Sequence, residues 1–243
     1  MSRTLIGVGV GPGDPELVTL KALRTLGEAD VVFAPSTDPD RLSRAEEIVT
    51  EAAHVAVRRL VFALDDRGGV TKRRSTAWDD AARAVLQAFD DGASRVVFVT
   101  LGDPNVYSTF GYLAQTVAAV DASVRIETVA GVTAMQDLAA RAAVRLAEGR
   151  ESLTLVPATA GLAEVTSALE GGGTVVIYKG GRSMRELVAL VKARGRAAEA
   201  VLGSELGLPD ERIVPLADWD EERASYFTTL IVPAARRGRG RAL

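Results

Sequence analysis

GVGVGPGDPELVTL, Gly7 to Leu20, follows the short apolar run TLI and carries glycine at positions 7, 9, 11 and 13. Without a Cβ, such a segment can turn sharply and let other backbone, or a ligand, come close. The residues after it read as a helix start: Asp14 can cap, Pro15 fits the first helical position, and Glu16 complements the positive end of the helix dipole. The apolar face then runs through Leu17, Leu20, Ala22, Leu23 and Leu26. A strand, a glycine loop and a capped helix in that order place the loop at the carboxyl end of a sheet, where α/β proteins bind ligands. Two familiar motifs fail on spacing. GxGxxG started at Gly7 needs glycine where Pro12 stands, and started at Gly9 it needs glycine where Asp14 stands. No Gly-Lys-Ser/Thr follows to make a Walker loop. Taken alone, the segment is either a cofactor loop or a tight strand-to-helix turn.

Outward from it, β-branched runs alternate with helical patterns: ADVVFAP, a long helix from about Ser75 to Asp91, SRVVFVTLGD, and a helix from about Val132 to Ala147. That alternation is the mark of a parallel sheet covered by helices on both faces. The rhythm restarts after Glu151 with SLTLVPAT, a helix to Glu170, TVVIYKGG and the helix SMRELVALVKARG. EAVLGSE, RIVPLA and YFTTLIVP follow with no helix between them, which predicts an antiparallel portion and a mixed sheet. The expected architecture is a two-lobed α/β protein, with an N-terminal lobe over 1–149 and a C-terminal lobe over 150–243.

Composition narrows the function classes. In 243 residues, 29 Lys and Arg balance 32 Asp and Glu, so no global charge draws nucleic acid or an anionic membrane. Aromatic residues make up only 5%, too few to interleave a base-stacking surface. The absence of cysteine removes thiolate chemistry and Cys-ligated zinc, and one histidine, His54, leaves no zinc ligand set. His54 reads as a helix-end residue. No metal is expected, the opening apolar run is too short to span a membrane, and the expected location is the cytoplasm. The basic tail from Arg236 reads as a frayed, solvated end.

Two further strand ends repeat the first design. LGDPNVYSTF, Leu101 to Phe110, places Gly102 at a turn, stiffens it with Pro104, and offers the Asp103 carboxylate at the sheet edge. That carboxylate can accept from hydroxyl or amino groups of a cofactor, or simply cap a helix. VAGVTAMQDLAA sets Gly131 and then Thr133 at a helix start.

The order GVGVGPGDPELVTLKA, GDPNVYSTF, AGVTAMQ, LVPAT, VVIYKGG and YFTTLIV resembles the tetrapyrrole methyltransferases of cobalamin synthesis over essentially the whole chain. YSTF after GDP, LVPAT and LPDERIVPL bring it nearest the branch that methylates carbon 20 of precorrin-2. The resemblance implies a homodimer that folds S-adenosylmethionine into a cleft between lobes and holds a tetrapyrrole beside it. Residue by residue, it implies cofactor contacts at Val10, Gly11, Pro12, Gly102, Asp103, Val106, Tyr107, Thr133 and Ala134. From the second lobe it implies Tyr178, Lys179, Leu206, Thr229 and Leu230 around the adenine. One departure is Ala130, where the family usually has proline before the glycine of the third turn.

Methyl transfer from a sulfonium is an in-line displacement with a neutral thioether leaving group, so no acid is required and no obligatory catalytic side chain is expected. Asp103 is the only candidate, and more readily a cofactor contact. A polyanionic tetrapyrrole does need cations. Lys72, Arg73 and Arg74 in the glycine-flanked DDRGGVTKRRST, and Arg182 and Arg185 after YKGG, are the candidates. A cobalt-bound substrate, another ring position, a non-catalytic S-adenosylmethionine sensor and an RNA-binding protein are the alternatives.

Overall fold

The computed structural model describes residues 2–64, 66 and 69–236. The chain divides into two compact units, Met1–Thr133 and Ala134–Leu243.

The first unit runs β1 (Thr4–Gly9), α1 (Leu20–Gly27), β2 (Val31–Ser36), α2 (Arg44–Ala53), β3 (Val57–Val61), α3 (Lys72–Asp90), β4 (Arg95–Thr100), α4 (Phe110–Val120) and β5 (Arg125–Val129). The strands form one all-parallel sheet in the order β3-β2-β4-β1-β5. Alternate residues of the central strands feed two cores, as the two-residue strand period requires. Leu5, Val96 and Phe98 pack with Val85 and Leu113 of α3 and α4. Ile6, Val8, Val97 and Val99 pack with Ala22, Leu26, Ile48 and Val49 of α1 and α2. Helices therefore cover both faces, and β1 is buried at every position.

Local signals explain the helix ends. Asp14 does cap, accepting from Glu16 N at 2.8 Å, but only a single 3-10 turn, Pro15–Leu17, follows. Val18 is extended, and Thr19 restarts the helix by accepting from Ala22 N at 3.1 Å. The expected continuous helix from Pro15 is thus two elements. At α2, Ser43 and Glu46 make a reciprocal capping box. His54 closes that helix in the left-handed conformation, its Nδ1 3.0 Å from Thr50 O. The helix-end reading of His54 holds.

The second unit contains α5 (Ala134–Arg141), β6 (Leu153–Pro157), α6 (Leu162–Glu170), β7 (Thr174–Tyr178), α7 (Met184–Ala193), β8 (Val201–Ser204), β9 (Arg212–Pro215) and β10 (Thr228–Val232). The sheet order is β6-β7-β10-β8-β9, with β6 parallel to β7 and the other pairs antiparallel. The mixed sheet is present. Val175, Ile177, Leu202, Leu230 and Val232 pack on α6 and α7 through Val165, Leu169, Leu187 and Val191. Val176, Val201 and Ile231 pack on the other face against Leu138 and Ala139 of α5.

Helix α5 is shorter than the 132–147 periodicity predicts. Ala143 takes φ +54°, and Val144 N donates to Ala139 O at 2.8 Å, a left-handed stop that ends the helix in an alanine-rich stretch. Because α5 packs on the second sheet, the division before Ala134 differs from the expected lobe boundary at 149/150 by this helix and the loop after it.

Arg236 corrects part of the tail reading: it is half-buried, and its Nε donates to Glu151 Oε1 at 2.9 Å. Residues 237–243 of that tail lie outside the described residues. The hydrogen bond from Arg236 holds the Glu151 carboxyl below the usual carboxylate range, against the opposing effect of burial. A depressed folded-state pKa contributes stability above the unfolded value that is lost as pH falls through the folded one. Wild type is therefore expected to exceed Arg236→Met in urea midpoint at neutral pH. The gap should narrow as pH drops below about 4, which chemical denaturation across pH reads directly.

Candidate cofactor-binding site

The strand order sets up a ligand position. β1 and β4 are neighbours, yet the chain leaves β1 toward β2 on one side and leaves β4 toward β5 on the other. The two connections cover opposite faces of the sheet, through α1 and α4, and both start at its carboxyl edge, the place where open α/β sheets bind ligands.

The loops at that edge are stitched to one another. Val10 N donates to Thr100 O at 3.0 Å, and Gly102 N donates to Gly11 O at 2.8 Å, an isolated antiparallel bridge. Asp103 ties in the third loop: its Oδ2 accepts from Gly131 N at 3.0 Å while Oδ1 accepts from Asn105 N at 2.8 Å. The glycines make this possible. A Cβ on Gly9 would lie 2.4 Å from Gly102 O, and one on Gly131 only 2.1 Å from the same oxygen. Gly102 differs in kind. It has φ +65°, and a Cβ there would stand in ordinary contact with Thr133 Cα at 3.8 Å, so its backbone conformation rather than crowding calls for glycine.

Around this edge, Val10 is fully buried, so only its backbone can form a wall, while Pro12 and Val106 are half-buried. Thr133 is buried and Ala134 opens α5. Tyr107 is 43% exposed and held at φ +50°.

In the second unit, Tyr178, Thr229 and Gly203 form one register row across β7, β10 and β8. Tyr178 lies on the α5 face with Leu206, which is buried against the space a Cβ on Gly203 would take, at 3.0 Å. Leu230 points to the opposite face, into the core with Leu187 and Met184, so only its backbone is available to a ligand. Lys179 at φ +60° and Glu205 at φ +55° follow the ends of β7 and β8. Left-handed non-glycine residues cost energy and concentrate at ligand-binding segments. Glu205 and Gly203 were not singled out from sequence. A glutamate carries no left-handed signal, and Gly203 sits inside a short apolar run.

The sequence pattern of the Tetrapyrrole (Corrin/Porphyrin) Methylases matches residues 4–219. The chain belongs to that family. It is 31% identical to the cobalt-precorrin-2 C(20)-methyltransferase of Salmonella typhimurium, over 96% of this chain and 97% of that protein. It is 32% identical to the cobalamin biosynthesis protein CobIJ of Mycobacterium tuberculosis over 96% of its length, where it spans only 46% of the relative. Among solved structures, the cobalt precorrin-4 methyltransferase CbiF shares the fold, with a TM-score of 0.69 at 22% identity over 95% of this chain and 94% of that one.

In this tetrapyrrole methylase, the predicted substrate cations separate into distinct settings. Lys72, Arg73 and Arg74 are not in a loop: Thr71 accepts from Arg74 N at 3.1 Å and starts α3 there. Lys72 and Arg73 line a depression of about 670 Å³ with Arg59, Leu60, Phe62 and Ala81. Arg74 turns back on the preceding segment, donating to Gly69 O at 2.8 Å and to Asp66 O. Arg59 is held by both carboxylate oxygens of Glu46, at 2.7 and 3.0 Å. Arg182 is exposed, and Arg185 pairs with Glu222 at 3.0 Å on the surface. A second depression, about 530 Å³, adjoins the Asp103 loop and is lined by Asn105, Tyr107, Ser108, Tyr112 and Gln115. Among the described residues, no helix is long and apolar enough to cross a membrane, and no group of three His, Asp or Glu could hold a metal ion.

Proposed function

We propose that the chain transfers a methyl group from S-adenosylmethionine to carbon 20 of precorrin-2, releasing S-adenosylhomocysteine. The observation that carries this reading is the stitched carboxyl edge of β4, β1 and β5, where the half-buried, left-handed Gly102 stands beside buried Thr133. Gly11, Gly102, Asp103, Val106, Tyr107, Thr133 and Ala134 then contact the methionine part and ribose, with Val10 and Pro12 as wall. Tyr178, Lys179, Leu206, Thr229 and the Leu230 backbone receive the adenine. The Asp103 carboxylate, which accepts from Gly131 N and Asn105 N, is the charged group this edge presents to a cationic, hydroxyl-bearing ligand.

The cofactor supplies an electrophilic methyl on a sulfonium. What the chain must supply is orientation: holding an enamine-like meso carbon in line with that methyl lowers the barrier by up to roughly 7–11 kcal/mol. Backbone carbonyls fixed by the loop stitching add electrostatic stabilisation. The proton displaced from carbon 20 passes to water or a substrate carboxylate, so Asp103 serves as an organiser rather than a base.

Incubation with precorrin-2, with and without cobalt, and methyl-labelled cofactor tests the reading, with NMR locating the label. Label at carbon 20 is expected, and no labelled tetrapyrrole overturns it. A cobalt-bound substrate is the second reading, favoured by the name of the Salmonella relative. The family resemblance also supports a homodimer, readable by light scattering, and a cytoplasmic enzyme.

Lys72 and Arg73 at the α3 depression are the cations best placed for substrate carboxylates. Replacing Lys72, Arg73 and Arg74 by alanine is expected to raise the tetrapyrrole KM about tenfold at low salt, an effect that shrinks as salt screens the charges. An unchanged KM at low salt removes them from the substrate site.

A further inference from the structure

We propose that Arg141 and Glu211 are positioning residues for the cofactor: together they set the turn after β8 that presents Leu206 and the strained backbone of Glu205. The inference rests on the reading that Leu206 contacts S-adenosylmethionine.

Two backbone hydrogen bonds lie within the turn. Leu208 N donates to Glu205 O at 3.0 Å, and Glu211 N donates to Leu208 O at 3.0 Å. Glu205 and Gly207 are both left-handed, at φ +55° and +73°. The Glu211 carboxylate closes it from the outside, accepting from Gly207 N at 2.7 Å. Arg141, the last residue of α5, grips the same carboxylate with both terminal nitrogens. Asp137, buried one helical turn earlier, stands 3.8 Å from the Arg141 guanidinium. Leu138 of the same helix packs where a Cβ on Gly203 would lie, at 2.8 Å. One helix therefore holds both the floor of the turn, through Leu138 at Gly203, and its rim, through Arg141 at Glu211.

The exposure of the pair separates an orienting role from a stabilising one. Arg141 is 39% exposed and Glu211 22%. With its Arg141 partner open to water, the pair adds little to global stability, whereas a two-pronged guanidinium–carboxylate contact fixes geometry. Breaking it should loosen the turn far more than it unfolds the unit.

Arg141→Met, Glu211→Gln, the double variant and Arg141→Lys are titrated with S-adenosylhomocysteine by calorimetry, alongside hydrogen exchange and thermal melts of each protein. Both single variants are expected to weaken binding about tenfold while kcat at saturating cofactor stays within about twofold. Amides from 205 to 211 exchange faster, the melting midpoint moves by only a few degrees, about 2–4 °C, and the double variant binds no more weakly than either single one. Arg141→Lys, which keeps the charge but not the fork, falls between. Affinity within about twofold of wild type in the folded single variants overturns the positioning role. Failure of wild type itself to bind S-adenosylhomocysteine overturns the cofactor reading and this inference with it, and is distinguished by the wild-type titration alone.

Discussion

Gly131→Ala is expected to lose cofactor binding altogether and to lower stability by about 3 kcal/mol or more. The added methyl carbon would sit 2.1 Å from Gly102 O and 2.8 Å from the Gly9 backbone, and none of these is the free end of a side chain that can swing away. Relief requires backbone to move at the junction of three strands. The Gly102 and Asp103 hydrogen bonds to Gly11 and Gly131 would break in the process. Gly111→Ala is the control, because a Cβ there meets nothing within 4 Å and the position is helical. It should be neutral or stabilise by a few tenths, up to about 1 kcal/mol. Urea unfolding paired with S-adenosylhomocysteine titration reads both variants. If Gly131→Ala binds and unfolds like wild type, the three loops are not interlocked as described.

Asp103→Ala carries the second large effect, an expected fall of about 100-fold in methyl transfer with a stability loss of about 2 kcal/mol. The alanine leaves Gly131 N and Asn105 N without their acceptor and frees the third loop from the second. Asp103→Asn discriminates the role. Its amide oxygen still accepts one of the two N–H groups, so an organising residue keeps much of its activity in this variant. A proton acceptor would lose as much as in the alanine variant. Single-turnover rates with labelled cofactor measure the difference.

How much of this was legible in sequence depends on range. The glycine loop, the Asp14 cap, and the strand ends bearing Asp103 and Gly131 were all readable, because each is a local pattern of strand, turn and helix start. The bond between Asp103 and Gly131 was not, since it spans 28 residues and depends on strand order. Lys72 to Arg74 looked like loop because glycines precede them, while the deciding signal was the modest cap of Thr71. The left-handed Tyr107, Lys179, Glu205 and Ala143 leave no trace in composition, because tertiary packing imposes that backbone on ordinary residues. The Leu230 assignment came as a pair with Thr229, but neighbours in a strand face opposite sides, and only the register showed which side meets α5.

The place of β1 in its sheet also constrains how the protein comes into being. Thr4–Gly9 takes both partners from far along the chain, Arg95–Thr100 and Arg125–Val129, and none from the strand that follows it. Contacts this distant in sequence are slow to form, and an unpaired apolar strand is prone to aggregate while it waits. During synthesis this strand stays without a neighbour until β4 has been made, and without its second until β5 has. The carboxyl edge is thus assembled late and in order: the loops after β1 and β4 can bridge only once β4 has been made, and the loop after β5 joins them last.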